Sequence, residues 1–568
     1  MRETRRGTIL VILTMMVALL CMSCDGLVVP MANGTITFDS QEGTLVPSQE
    51  ATGYINEPNE PTRTGFNFSG WYCDEACTIA WDFDEDLIEG SMTLYAKWEV
   101  DNNTVTYHAN GADSGEVPYP QIKEPEQELY IADNVGELKK TDYFFTCWNT
   151  AADGSGTDYS MGEAYSVEGD LDLYAQWVEL KKLIASDADV EAYFAYSVGL
   201  DGDTAVLGAF RENNDEVDSH IGSAYIFTRT DGSWSEQAKL VPSDGVAEDG
   251  FGWDVSISGD TVVIGSPYAD NDNAFDSGAA YVFIREGGTW SEQAKLAVST
   301  GAQEDLFGDA VCISGDTIMV GAPLEDVDDN DTGSVYVFTR SGSSWSQRTK
   351  LFASDRETAD YFGTAIDISG DTVVIGANGV STLETTWSGA AYVFTGSGES
   401  WSEQAKLIGS DTASFDRFGF SVSIDDDTIV IGAYWDDIDD ADDRGSAYVF
   451  TREDASWSEQ TKLTASDGVS GDYFGTQVSI DGDSIVIGAD SDDDKGHNSG
   501  SAYIFTRTED SWVEQTKLIA TDGQNGDYFG GAVAIDGDTV LVGASSDCVD
   551  DITDSGSAYS YDIASQNL

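Results

Sequence analysis

One short marker, Lys-Leu, returns at Lys182, Lys239, Lys295, Lys350, Lys406, Lys462 and Lys517, at intervals of 55 to 57 residues. Self-similarity on that scale restricts a chain to arrays of one supersecondary unit. A complete unit runs from Phe418-Gly419 through Ser421–Ile424, a turn at Asp425–Asp427, Thr428–Ala433, an acidic loop, Gly445–Arg452 and Trp457–Leu463. β-Branched and aromatic residues fill the four short segments. Gly-Asp pairs such as Gly202-Asp203 and Gly482-Asp483 suit hairpin turns that need positive φ, and no helical period appears. Four strands repeated seven times predict an all-β fold, a seven-bladed β-propeller whose blades pack face to face around an axis.

The units also predict how the ring closes. Segments such as Trp234–Leu240 end the units internally, but the seventh stops after Ser557–Asp562 without a fourth strand. Trp177–Leu183, just before the first unit, has the Trp-to-Lys spacing of Trp234–Leu240. Strand 177–184 is therefore expected to complete blade seven, which removes two sheet edges and makes the ring cooperative. Trp177 would then end one domain and begin the next, leaving almost no linker.

Upstream, one unit occurs twice. Thr35–Asp39, Gly65–Tyr72 and Leu94–Trp98 are matched by Val105–Tyr107, Phe144–Trp148 and Leu173–Trp177, with Cys147 in place of Gly70. Their aromatic signature resembles the Listeria-Bacteroides repeats, the internalin B-repeat family. The resemblance implies two small β-rich modules, ubiquitin-like and of β-grasp type, used as a stalk or adhesion element on cell surfaces. Alternating Thr, Ile, Phe and Tyr fit strands, and the aromatics are best read as core. The larger units resemble FG-GAP repeats through Phe251-Gly252, Phe307-Gly308, Phe362-Gly363, Phe418-Gly419, Phe474-Gly475 and Phe529-Gly530, with Gly321-Ala322-Pro323 as the fullest second motif. Unit one departs, with Phe194-Ala195, and most units lack the proline. That resemblance implies a propeller like the head of integrin α-chains, where some blades bind calcium through Asp-x-Asp-x-Asp-Gly loops; no such loop is intact here.

At the N-terminus, Arg2, Arg5 and Arg6 precede the apolar run Ile9–Leu20, too short to span a bilayer and suited to a signal peptide. It ends in Leu19–Asp25, which resembles a bacterial lipoprotein box with Cys24 as the acylated residue, although Cys21 stands where that motif has Leu. A lipid-anchored protein of the outer membrane or cell surface is expected, with ordinary secretion as the alternative; either places the mature chain in an oxidising compartment. Cys73 and Cys77 make a candidate small-loop disulfide, and not a zinc site, because no second pair or His accompanies them. The boundaries that follow are a signal peptide at 1–23, an anchor linker at 24–33, repeat modules at 34–100 and 101–178, the propeller at 177–562 and a tail at 563–568.

Against 27 Lys and Arg stand 103 Asp and Glu, a formal net charge of -76. That argues against nucleic acid or an anionic membrane as partner, with the membrane reached through the anchor alone. Calcium is the one cofactor to weigh. The candidate ligands are Asp270, Asp272 and Asp276; Asp326 and Asp328, with Glu325 and Asp329; Asp436, Asp437 and Asp439, with Asp440; and Asp492 and Asp494. Alternating oxygen side chains near glycine can supply the six to eight ligands Ca²⁺ takes. The spacing varies between units, however, and the loop around Ser381–Glu384 is nearly uncharged, which favours a solvated, self-repelling rim. Pairs such as Asp244 with Asp249 and Asp467 with Asp472 precede Phe-Gly and read as turn capping. No nucleophile elbow or phosphate loop is present, and three His (His108, His220, His497) offer no triad. The reading is a non-enzymatic, monomeric surface protein that binds an extracellular protein or glycan. The alternatives are a salt-adapted structural envelope protein and, third, a carbohydrate-active enzyme.

Overall fold

The computed structural model describes residues 33–563 except 64–65, 101–102, 124–127, 135, 137, 141–142, 160–161, 166–168, 180, 214–219, 271–274, 299–302, 328–329, 439–440, 509–510 and 551. The signal peptide and Cys24 lie outside the described residues. Among those residues there is no α-helix, and none long and apolar enough to cross a membrane. The chain divides into two compact units, one holding the first repeat module and the other the seven larger repeats.

In the first module the sheet runs in the order Gln49–Thr52, Asn33–Asp39, Met92–Val100, Phe66–Tyr72, with the central pair parallel. Ile36, Phe38, Trp71 and Leu94 are buried, and Trp71 takes Phe38 and Phe68 edge-on at 4.9 and 5.5 Å. A bulge between Phe68 and Trp71 is turned by Gly70 at φ 115°. In the second module the strand Tyr143–Asn149 carries the same irregularity against Ala175 and Trp177, and Cys147 occupies it without a positive φ. Cys73 and Cys77 are free thiols, so the expected disulfide is not formed. Between them the Asp74 carboxylate accepts the N–H groups of Thr78 and Ile79, holding a tight turn with Cys77 at φ 52° and its Sγ 3.6 Å from the Ala96 carbonyl.

Seven four-stranded antiparallel sheets follow. In the first the strands are Val198–Asp201, Thr204–Ala209, Ser223–Thr230 and Ser233–Leu240, side by side in chain order. The second strand is buried at all six positions, and the third buries its first five, as expected for strands covered on both faces. Each Phe of Phe-Gly wedges between consecutive sheets: Phe251 lies in one core with Ala224 and Ile226 of the first sheet and Tyr281 of the second. The glycine after it passes so close to the neighbouring backbone that a Cβ on Gly252 would stand 2.3 Å from the Ser223 carbonyl. Ala195 follows the same path at φ 64°, so the first repeat keeps the geometry at a strain of about 1–2 kcal/mol.

Neighbouring inner hairpins are joined by side-chain bonds. Gly259 N donates to Asp201 at 2.6 Å, Gly482 N to Asp425 at 2.8 Å and Gly537 N to Asp481 at 2.6 Å. The same link joins the seventh sheet to the first, from Gly202 N to Asp536. Arginines add a second tie: Arg285 bonds Asp260 of its own hairpin and Thr204 of the preceding sheet, and Arg229 reaches from the first sheet to Thr539 of the seventh at 2.6 Å.

The seventh sheet takes its fourth strand from the far end of the chain. Lys181, Lys182 and Leu183 pair antiparallel with Ser560, Tyr559 and Ala558. The exchange is shorter than expected, because Trp177, Val178 and Glu179 pair with Phe145, Phe144 and Tyr143 in the second module's sheet. Trp177 belongs to that module, where its Nε1 donates to the Asn110 carbonyl at 3.0 Å. Elsewhere four such Trp residues hold the Gln of the preceding outer strand, as Trp290 does Gln237 at 2.9 Å; Trp401 faces a strand with Arg348 at that position and makes no such bond, and position 180 is Leu, so Trp234 bonds Ser560 instead.

Candidate functional site

The acidic loops between second and third strands contain two positions with different tasks. The first holds Glu212, Glu325, Asp436, Asp492 and Asp547, largely buried, each on the marker Lys of its own sheet: Lys239–Glu212 3.1 Å, Lys350–Glu325 2.5 Å, Lys462–Asp436 2.6 Å, Lys517–Asp492 2.7 Å and Lys182–Asp547 2.6 Å. In four of these a second carboxylate meets the same ammonium, from Asp187, Asp411, Asp467 and Asp522. Burial would raise the Asp467 carboxyl, but the bonds from Lys517 and the Tyr503 hydroxyl hold it below its ordinary value. The second position caps the loop: Asp270, Asp326, Asp437 and Asp493 accept the N–H of Asp276, Asp331, Asp443 and Asn498 at 2.8–3.0 Å.

Of the residues weighed for calcium, Asp436, Asp492 and Asp494 therefore surround lysines, Asp494 at 2.8 Å from Lys517. Asp270, Asp326 and Asp437 tie their own loops, and Asp276 serves as a backbone donor at φ 50°. Asp272, Asp328 and Asp439 lie outside the described residues. Among the described residues no group of three His, Cys, Asp or Glu side chains is placed to hold a metal ion.

A second family of acids precedes Phe-Gly. Asp249, Asp360, Asp416, Asp472 and Asp527 each accept the N–H three residues earlier, yet burial pushes them up to about 6. Their folded values exceed the unfolded value of about 3.9, so the folded state binds more protons between pH 4 and 7 and gains stability as pH falls. Asp187, Asp244, Asp355, Asp411, Asp467 and Asp522 are lowered, and their contribution disappears only below their unfolded value. The melting temperature at pH 5 is expected to exceed that at pH 7.5 by roughly 5 °C or more, with a fall below pH 4. Scanning calorimetry across this range checks it, and a lower midpoint at pH 5 than at 7.5 contradicts it.

A concavity of about 1030 Å³ is lined by residues from all seven sheets. The framework residues of the units recur, but the positions facing the end of this cavity where the inner strands begin do not. The residue after Phe-Gly (after Phe194-Ala195 in the first unit) is Tyr196, Trp253, Asp309, Thr364, Phe420, Thr476 and Gly531 in turn, and all seven line the cavity. Two partly buried aromatic clusters form there. In one, Tyr196, Phe210 and Trp253 meet at 4.5–5.1 Å, with Tyr268 5.4 Å beyond; in the other, Tyr434 lies 4.3 Å from Phe420, 5.2 Å from Trp435 and 5.7 Å from Tyr473. The residue before Phe adopts left-handed φ in every unit, at 53–60° for Tyr193, Leu306, Tyr361, Arg417, Tyr473 and Tyr528, a strained setting for bulky side chains.

Carboxylates stand among these rings. Asp254 accepts Val255 N at 2.9 Å and Val311 N at 2.7 Å, bridging two inner strands, and Asp367 does the same for Ile368 and Ile424 at 2.8 Å. Burial pushes Asp254 and Asp309 up to about 7 and Asp490 up to about 6. Aromatic faces with a few carboxylate acceptors suit a ligand that is ring-shaped and rich in hydroxyls. The sequence pointed to the acidic loops and missed this end of the cavity; the signal was there, in the positions that break an otherwise regular repeat.

The fold and the cavity define a class: an all-β repeat protein of seven four-stranded units, the last completed by a strand from before the first, preceded by smaller β modules. The FG-GAP repeat family matches residues 177–227, 234–283, 290–338, 345–394, 401–450, 457–505 and 512–561, more than half of the chain. The chain belongs to the FG-GAP repeat family. Residues 35–97 and 104–176 match the Listeria-Bacteroides repeat domain. Among relatives, a putative membrane protein of Evansella cellulosilytica is 38% identical over 167 residues, 28% of this chain and 25% of that one. Internalin H of Listeria monocytogenes is 29% identical over 147 residues, 26% of this chain and 25% of its own. Human integrin alpha-6 is 29% identical over 206 residues, 32% of this chain and 16% of its own. The chain thus spans about a quarter or less of these relatives' length.

Proposed function

We propose that this is a non-enzymatic surface-binding protein whose seven sheets close into a seven-bladed β-propeller, carried on two β-grasp-type stalk modules and tethered to the cell envelope through Cys24. The links from Gly202 to Asp536 and from Arg229 to Thr539 support the closed ring, and the parallel central pair of the first module supports the β-grasp assignment. The relatives named internalin, integrin and putative membrane protein support a place at the cell surface. The observation that carries the binding role is the gathering of repeat-breaking aromatics and carboxylates at one end of the central cavity. An extracellular glycan suits that chemistry best.

A glycan array probed with the mature chain tests this. Saturable binding is expected, with Trp253→Ala and Tyr434→Ala each weakening it at least about tenfold while the melting temperature holds. No saturable glycan at physiological salt removes the glycan reading and returns the chain to a structural envelope role or a protein partner.

A further inference from the structure

In a chain with 103 acidic and 27 basic residues, an arginine without a carboxylate is out of place. Arg229, Arg285, Arg340, Arg452 and Arg507 each pair with an Asp of their own hairpin. Arg417 does not: among the described residues its guanidinium joins no ion pair, and its buried Nε has no hydrogen-bond partner; Arg211 and Arg444 also join no ion pair, but Arg211 lies over the Tyr193 ring and Arg444 donates to the Ala465 carbonyl. It lies between two indoles instead, 4.2 Å from the ring of Trp387 and 5.2 Å from that of Trp435.

The backbone singles out the same spot. Trp387 sits at φ 51°, at a position filled in the other sheets by His220, Asp276, Asp331, Asp443, Asn498 and Asp554, all at φ 45–55°. Short polar residues tolerate that left-handed conformation, whereas an indole there is an outlier. Its loop is also nearly uncharged, with Leu383 fully exposed at the tip. Sheets four and five thus each bring a tryptophan to this cation, and Trp435 continues through Tyr434 and Phe420 to the cavity.

We infer that Arg417, clamped between Trp387 and Trp435, receives the carboxylate of an acidic sugar, a uronic acid unit of a glycan whose adjoining rings lie along Trp435, Tyr434 and Phe420. This rests on the reading of the cavity end as a glycan site. A guanidinium fork matches a carboxylate in bidentate fashion, and stacking between indoles fixes its plane before the ligand arrives. The net charge of -76 repels a dense polyanion, but charges beyond about 8 Å are screened at physiological ionic strength, so isolated carboxylates spaced by neutral rings are admitted where an acidic peptide run is not.

The test is calorimetric titration of the full mature chain with a uronate oligosaccharide, its carboxyl-reduced neutral counterpart and an Asp-rich peptide. Carboxyl reduction is expected to weaken binding to the wild type about 10- to 100-fold and to leave Arg417→Gln unaffected, the two changes being non-additive. Arg417→Lys, which keeps the charge but not the fork, is expected to recover only part of the affinity. Equal binding of both sugars by the wild type, weakened by Trp253→Ala but not by Arg417→Gln, overturns the assignment of Arg417 while the glycan site stands. Binding of neither sugar overturns both, and a preference for the peptide overturns the choice of sugar. Unchanged melting of the Arg417 variants separates these outcomes from misfolding, and a variant that does not fold is replaced by Trp387→Ala, for which the same loss of discrimination is expected.

Discussion

Replacing the closing strand, with Lys181→Gly, Lys182→Ser and Leu183→Gly together, is expected to destabilise the seven-sheet body by roughly 5–10 kcal/mol and to lower its melting temperature by more than about 10 °C. Leu183 is buried in a core shared by the first sheet and the seventh, and its loss alone removes about 2–5 kcal/mol. Lys182 is the counter-ion of the buried Asp547 and also meets Asp522, so without it a carboxylate is stranded in the interior at a further cost of about 3–5 kcal/mol. The third strand of the seventh sheet, Ser557–Asp562, becomes an edge with unpaired backbone groups. Chemical denaturation gives the free-energy loss and thermal unfolding the midpoint, both followed by tryptophan fluorescence. A midpoint within about 2 °C of the wild type would mean that the seventh sheet stands on three strands and that closure carries no stability.

Lys517→Met is expected to remove about 3–5 kcal/mol by a different route. Its ammonium is held at 2.7–2.8 Å by Asp467, Asp492 and Asp494, and it lies 5.2 Å from the ring of Tyr503. Methionine keeps much of the packing but leaves Asp492, almost wholly buried, with no positive charge beside it. Adding Asp467→Asn and Asp492→Asn should restore most of the stability, because removing a whole buried ion group is far less damaging than removing one partner. Thermal melts of the single and triple variants decide it: equal destabilisation of both would place the effect in lost packing and not in stranded charge.

The difference between the acids weighed for metal and the acids as folded comes down to distance in the chain. Asp436 and Lys462 are far apart in sequence, on a loop and on the outermost strand, and nothing in the spacing of the loop records that an ammonium fills its centre. The second-position acids read two ways for a related reason: a side chain that accepts a backbone N–H a few residues on uses the same short, oxygen-rich, glycine-containing sequence that a calcium loop does.

The period of the repeat, its four strands, the Phe-Gly wedge and the fourth strand supplied from the far end were legible in the sequence alone. Each follows from local rules, hydrophobic alternation, turn residues and one fixed spacing, that a seven-fold repeat states seven times over. Tertiary structure alone decided where that borrowed strand begins. Trp177 could serve either sheet by its spacing, and the second module's strand Tyr143–Asn149 claims it, leaving three residues to pair with the seventh sheet. It alone also brought Arg417 between Trp387 and Trp435 and drew Tyr196, Trp253 and Phe420 to one end of a common cavity. Those residues come from different units, and the packing of one unit against the next, which no single repeat encodes, is what makes them neighbours.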